Sequence, residues 1–416
     1  MAVALVMGNM IGSGVFLLPA SLAAFGGLSL VGWVVSAAGA TCLALVFARL
    51  ARIDPAAGGP YAYTRRAFGD LPAFLVAWGY SVSVWSSMAA LAVAGVGYLD
   101  PFFPTIVRTP ILAASLAIGM LWLLTLINIA GVRRAGQVQV LTTMLKILPL
   151  AVVGIGGLFF FAPAHFAVNA TSFSDGAGQV TQVATLTLWA FLGLECATIP
   201  AGNIANPERT IPRATLVGTL LAAAIYIVST VGVMSLVPPA LLATTTAPFA
   251  DGARALFGNT AAALVALGAA ISCFGALNGW TLISGQLPLA VARDGLFPQV
   301  FTRVTPHGTP VAGMLIGGTL ATALIAMNHT RSLVELFTFM ILLSTLSTLV
   351  PYVFCALASF RIGHMAAPAK AIAGLAFAYG LWAIGGAGAE TVYWGFLLLI
   401  AGLPVFVWVT RGRAHV

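Results

Sequence analysis

Apolar runs of about 18 to 28 residues recur along the whole chain, and nothing constrains its fold more, because a helix needs about 20 such residues to cross a bilayer. Twelve can be drawn: 1–25, 28–53, 70–98, 109–130, 136–162, 177–203, 211–237, 259–292, 310–327, 333–359, 368–387 and 391–410. The alternating pattern of a transmembrane barrel is missing, so the backbone must be satisfied within helices. Composition agrees: 60% of residues are hydrophobic and 7% charged, against about 25% charged in soluble domains. The expected fold is an all-α membrane protein of twelve transmembrane helices. The first run lacks the basic n-region of a signal peptide and continues past its interruption. A start at Met1 directly in apolar sequence is odd for a cytoplasmic N-terminus and leaves room for a missing or misassigned beginning.

The formal charge is +8, and its distribution reads as topology rather than as a nucleic-acid patch. Arg49, Arg52, Arg65, Arg66, Arg133, Arg134, Arg209, Arg213, Arg293, Arg303, Arg361, Lys370, Arg411 and Arg413 fall in or beside alternate connections, whereas Arg108, Arg254 and Arg331 fall on the other side. The positive-inside rule then puts both termini in the cytoplasm of a multi-pass inner-membrane protein surrounded by lipid.

Cys42, Cys196, Cys273 and Cys355 are scattered singly in apolar segments, without zinc-ligand spacing. The histidines, His165, His307, His329, His364 and His415, lie in expected loops or at the terminus. An intramembrane hydrolase would need a buried nucleophile with a histidine or paired carboxylates, which are not offered, so the chain does not read as an enzyme. A P-loop pattern for ATP is also lacking, and no metal or other cofactor is implied. A channel would tend to repeat pore-lining elements around an axis, a pattern the interruptions described next do not follow.

Ionisable groups inside a membrane are expensive and therefore mark function. Nine of the ten acidic residues sit in loops or near span ends, which leaves Glu195; among the basic residues only Lys146 lies well inside a span. Glu195 belongs to "TLWAFLGLECA", where Gly193 interrupts the sixth span. The first span is interrupted likewise, by Gly12, Ser13 and Gly14 in "GNMIGSGVFLLPA". Five spans separate the two interruptions, an odd number that reverses direction through the membrane. Opposed broken helices at corresponding positions of two halves point to a secondary transporter of inverted repeats. Small residues packing helices closely would explain most of the 45 glycines, but not why Glu195 lies just beyond one cluster. Unwinding at Gly12 to Gly14 would create a half-helix N-terminus that holds a carboxylate, and the break near Leu192 and Gly193 would free carbonyls for an ammonium.

The motifs "GNMIGSGVFLLPASLA", "GGPYAY", "TLWAFLGLE", "NPERTIP" and "GWTLISGQ" resemble, in order and over almost the whole chain, the amino acid-polyamine-organocation superfamily. Within it the likeness is to the basic amino acid/polyamine antiporter branch, nearest to the arginine/agmatine and putrescine/ornithine exchangers. The resemblance implies a leucine-transporter-like fold in one domain, 1–416, with inverted repeats 1–162 and 177–359 and two further helices over 368–410. It also implies alternating access and, in many members, a homodimer contacting through the last two spans.

Carried over by position, Gly12, Ser13 and Gly14 match the carboxylate-binding break, with Asn9 one turn before it. Trp189 matches an aromatic residue that stacks on the substrate side chain, Trp280 a second aromatic, Leu192 an apolar contact and Ser344 a polar one. Tyr80 and Tyr352 match gate tyrosines, and Glu195 a carboxylate that couples pH to substrate release. On chemistry alone, a tryptophan face attracts a cationic side chain by roughly 2 kcal/mol when desolvated; Trp33, Trp122, Trp394 and Trp408 read instead as packing or interface residues. On the third span, Ser83, Val84 and Met88 replace an alanine, a cysteine and a substrate-contacting asparagine of the arginine/agmatine pattern. Met88 cannot donate as asparagine does. Lys146 resembles a fifth-span lysine that stands in for sodium in sodium-independent relatives of the superfamily. The expected activity is sodium-independent exchange of a basic amino acid (arginine, ornithine or lysine) for an amine or another amino acid. The alternative is a proton-coupled or facilitative carrier of neutral amino acids.

Overall fold

The computed structural model describes residues 2–55, 58–130, 132–168, 170–199, 204, 206–306, 308–327 and 330–413. The first apolar run forms two helices, α1 (Ala2–Met10) and α2 (Ser13–Leu22). They are followed by α3 (Leu28–Ile53), α4 (Pro60–Phe68), α5 (Asp70–Gly97), the short α6 (Pro104–Arg108), α7 (Pro110–Ala130) and α8 (Val132–Leu158). Helix α9 (Phe173–Leu188) runs into two 3₁₀ turns, Trp189–Phe191 and Cys196–Thr198. Then come α10 (Pro207–Leu236), α11 (Pro239–Leu242), α12 (Pro248–Phe257), α13 (Asn259–Arg293) and α14 (Val311–Met327). The chain closes with α15 (Leu333–Arg361), α16 (Ala367–Gly386), α17 (Ala389–Ile400) and α18 (Leu403–Arg413).

Among the described residues nine helical stretches are long and apolar enough to cross a membrane, and Ser13–Phe25, Leu145–Leu158 and Val311–Met327 are shorter apolar helices. Local chemistry explains several boundaries. Proline, which lacks an N–H that a first turn could not use anyway, opens α4, α10 and α12. Ser332 and Glu335 form a reciprocal capping box at the start of α15, and the Ser172 hydroxyl accepts from the Asp175 N–H ahead of α9. Four interhelical pieces, α4, α6, α11 and α12, lie between the expected spans, the longer two being α4 and α12. Both are short amphipathic helices between spans, a length at which a polar face hides the apolar one.

Burial orders the bundle. In the most apolar windows of Asp70–Gly97 and Phe173–Thr198, 83% of residues are buried, against 22% for Ala367–Gly386 and 11% for Ala389–Arg411. Helices α5 and α9 therefore lie at the centre and α16 to α18 at the periphery. Leu126, Leu148, Leu264 and Trp408 project outward and exposed, which in a bilayer is the lipid-facing surface.

Charges gather at one set of helix ends. Arg65 of α4 pairs with Asp70 at 2.9 Å and with Asp294, just past α13, at 2.8 Å, and Arg66 pairs with Asp54 at 2.8 Å. The Tyr61 hydroxyl donates to Asp294 at 2.8 Å; burial, aided by that acceptor, holds its phenol well above the usual tyrosine range. Arg49 of α3 donates to the carbonyls of Ser359 (2.9 Å) and Ile362 (2.8 Å) at the end of α15. Arg133, Arg134, Arg413, His307, His329 and His415, used above for topology and chemistry, have side chains outside the described residues.

Candidate substrate-binding site

The first break lies at Ile11 and Gly12. The Ile11 N–H still reaches the Met7 carbonyl at 2.7 Å, but the Gly12 N–H turns back to the Met10 carbonyl at 3.0 Å instead of continuing the ladder to Gly8. That releases the Gly8 carbonyl at the negative end of α1. Lys146 Nζ, fully buried on α8, donates to it at 2.7 Å. On the far side of the break Ser13, Gly14 and Val15 open α2, so their N–H groups have no preceding turn to donate to.

The second break follows α9. Trp189–Phe191 makes one 3₁₀ turn, Leu192 is extended, and Gly193 has φ +104°, a region that strains any residue with a Cβ. A Cβ at Gly193 would also sit 3.3 Å from the Asn9 Cβ, so the two breaks touch. The turn's carbonyls are mostly occupied. Trp189 accepts from the Leu192 N–H at 3.1 Å, Phe191 from the Leu194 N–H at 3.3 Å, and Ala190 from the Tyr226 hydroxyl at 2.9 Å. Among the described residues no donor meets the Leu192 carbonyl.

Between the breaks lies a cavity lined by Asn9, Met10, Gly12, Ser13, Gly14, Leu91, Trp189, Leu192 and Trp280, with a volume of about 10 Å³, the room that one water needs. The site is closed around nothing larger. Asn9 Oδ1 and Ser13 Oγ are buried here without a partner among the described residues. An unsatisfied group of this kind costs about 1–3 kcal/mol, and a ligand that supplies the missing partner recovers that cost.

Not every residue singled out in the sequence reaches this cavity. Met88 is fully buried on α5 but does not line it. Ser83 and Ser344 sit between α5 and α15 in a cluster of hydroxyls. Ser83 Oγ bonds Ser344 Oγ at 2.8 Å and also meets Thr348, and Ser87 Oγ bonds Ser344 Oγ at 2.9 Å. Further along the same two helices, the hydroxyls of Tyr80 and Tyr352 both donate to the carboxylate of Glu195, one to each oxygen. Glu195, the one fully buried acid among the described residues, is held by two neutral donors from different helices.

Met10, Leu91, Ser87, Thr348 and Tyr226 carry parts of this arrangement that sequence reasoning missed. Helical spacing held a signal for some of them: Leu91 is one turn from Met88 on α5, and Ser87 and Thr348 lie four residues from Ser83 and Ser344. Tyr226 had none, since its partner is a backbone carbonyl far away in the chain.

A helical membrane bundle with a small, partly polar cavity between two helix breaks has the layout of a solute carrier. An amino acid permease model matches residues 1–414. The cadaverine/lysine antiporter of Escherichia coli (strain K12) is 37% identical over 327 residues, covering 77% of this chain and 72% of that protein. The putrescine transporter PotE of Haemophilus influenzae is 33% identical over 414 residues, 98% of this chain and 95% of that protein. PotE of Escherichia coli (strain K12) is 33% identical over 422 residues, 97% and 93%. The chain belongs to the amino acid permease family of the amino acid-polyamine-organocation superfamily, in its basic amino acid/polyamine antiporter branch, a group of transporters and not of enzymes.

Proposed function

We propose that the chain exchanges a basic amino acid for a diamine or another amino acid across the inner membrane by alternating access. The observation that carries this is the closed cavity between the two breaks. Ser13 and Gly14, at the positive end of α2, line it, the Leu192 carbonyl and Asn9 Oδ1 offer acceptors, and Trp189 and Trp280 form its walls. A carboxylate fits the first group, an α-ammonium the second, and a cationic side chain the aromatic faces. The names of the relatives favour lysine with cadaverine, or a putrescine exchange, over the arginine/agmatine pair. The loss of an asparagine at Met88 argues the same way.

The finer reading follows the residues. Twelve spans, in repeats 1–162 and 177–359 with 368–410 appended, would rock around the site, with both termini in the cytoplasm and the last two spans forming a homodimer contact. Lys146, by donating to the released Gly8 carbonyl, would replace a coupling sodium ion. Glu195 with Tyr80 and Tyr352 would couple protonation to opening.

Purified protein in liposomes preloaded with lysine, cadaverine, ornithine, putrescine, arginine, agmatine or leucine tests the reading through uptake of labelled lysine. Exchange requires uptake that depends on an internal counter-substrate, and the role given to Lys146 requires that this uptake be indifferent to sodium. Equal uptake into empty vesicles would replace exchange with a facilitative or proton-coupled carrier. That second reading, for neutral amino acids, draws on one observation: among the described residues no acidic side chain lines the cavity, and Glu195 is engaged by its two tyrosines.

A further inference from the structure

We infer that Tyr226, backed by Trp33, is a positioning residue that sets the orientation of Trp189 in the substrate cavity; the inference rests on the transport reading above. Tyr226 lies on α10, fully buried, and donates to the Ala190 carbonyl at 2.9 Å. Ala190 follows Trp189 directly in the 3₁₀ turn that replaces the helix, where the regular ladder no longer satisfies the carbonyls. In the membrane interior an orphaned carbonyl would pull the backbone toward whichever donor it could find. Tyr226 removes that freedom by supplying the donor from a neighbouring helix.

The other side of the turn is equally constrained. Trp33 packs edge-on against Phe191, with centroids 6.1 Å apart, and tilts against Tyr226 at 5.4 Å, and Phe191 meets Tyr226 edge-on at 5.5 Å. Across the turn, a Cβ on Gly14 would lie 3.0 Å from Ala190 Cβ and from Trp189 Cδ1. The peptide of residues 189–191 is thus wedged between the start of α2 and an aromatic wall, and the hydroxyl of Tyr226 fixes its rotation within that wedge. Rotating the peptide would turn the indole of Trp189 away from the cavity.

The test is a double-mutant cycle of Tyr226→Phe and Trp189→Leu in full-length protein reconstituted in liposomes, read as the KM and maximal rate of labelled lysine counterflow. Tyr226→Phe is expected to raise KM about fivefold, the worth of one hydrogen bond, with the maximal rate nearly unchanged. In the Trp189→Leu background the same change should have no further effect on KM. Independent, multiplying losses, or an unchanged KM in Tyr226→Phe, would overturn the inference. Trp33→Phe is the second variant: it thins the wall behind Phe191 without touching the hydroxyl, should raise KM in the same direction, and serves if Tyr226→Phe is not recovered from membranes. An unchanged KM in Trp33→Phe would count against the inference too. If Trp189→Leu alone leaves lysine KM unchanged, the stacking part of the transport reading has failed, whatever Tyr226 does.

Discussion

Gly14→Ala sets two opposing effects against each other at the contact between the breaks. Alanine is the better helix former, and in a helix interior the exchange would gain up to about 1 kcal/mol; at the second position of α2 the gain is smaller. Against it stands the added methyl. Its Cβ would lie 3.0 Å from Trp189 Cδ1, 3.0 Å from Ala190 Cβ and 3.1 Å from the Ala190 Cα. Carbon atoms prefer separations of about 3.5–4.0 Å, so the turn would have to retreat by about half an ångström. Overpacking of this degree costs about 1–3 kcal/mol. Because one of the obstructing atoms is backbone and Ala190 is held from behind by Tyr226, the turn cannot swing aside freely, and the steric cost should win. The expected net loss of up to about 2 kcal/mol corresponds to a lysine KM raised by as much as about thirtyfold. Counterflow in liposomes measures it, and thermal unfolding in detergent should show a lowered midpoint. A wild-type KM with a raised midpoint would mean that the breaks do not press against each other and would refute the geometry of the closed site.

Other expectations follow from single contacts. Lys146→Met leaves the Gly8 carbonyl buried without its donor, at about 1–3 kcal/mol, and should depress exchange strongly in assays with or without sodium; full exchange would remove Lys146 from the mechanism. Glu195→Gln keeps only one acceptor oxygen where two tyrosines donate, so the pH-rate profile of lysine exchange should flatten, and an unaltered profile would take Glu195 out of proton coupling. Ser344→Ala removes the hydroxyl that bonds Ser83 Oγ, Ser87 Oγ and the Ser83 carbonyl and should lower the unfolding midpoint; if KM stays constant while the midpoint falls, Ser344 holds α5 to α15 rather than the substrate. Asp294→Asn weakens the exposed tie from Arg65 and Tyr61 to α13, a change worth about 1 kcal/mol or less, and should favour the open form of that face, measured as faster thiol labelling of a cysteine placed in the pathway.

Much of the fold could be read from hydropathy, because a span's length and its need to satisfy its own backbone are properties of a local stretch. The two breaks were legible for the same reason: Gly12 to Gly14 and Gly193 are local departures from helix formation, and Glu195 and Lys146 stand out by cost alone. The structure places the first break slightly earlier than the glycine cluster, at Ile11 and Gly12, and starts α2 at Ser13. What could not be read was contact across the chain. Ser344 matches a polar substrate contact by position, and its bonds to Ser83 and Ser87 between two packed helices are not encoded in the spacing of any one span. Leu91 forms part of the cavity wall because α5 happens to face the first break there. Tyr226 serves a carbonyl 36 residues away, a pairing that no periodicity encodes. The split of the last span into α17 and α18, at Ala401 and Gly402, was hidden within an unbroken apolar run.

A structure of the protein with lysine bound, determined by electron cryo-microscopy, bears most directly on the central claim. The lysine carboxylate should lie within about 3.2 Å of the N–H groups of Ser13 and Gly14, its α-ammonium should face the Leu192 carbonyl, and its side chain should run along Trp189. Lysine held elsewhere, with both breaks still closed upon each other, would contradict it.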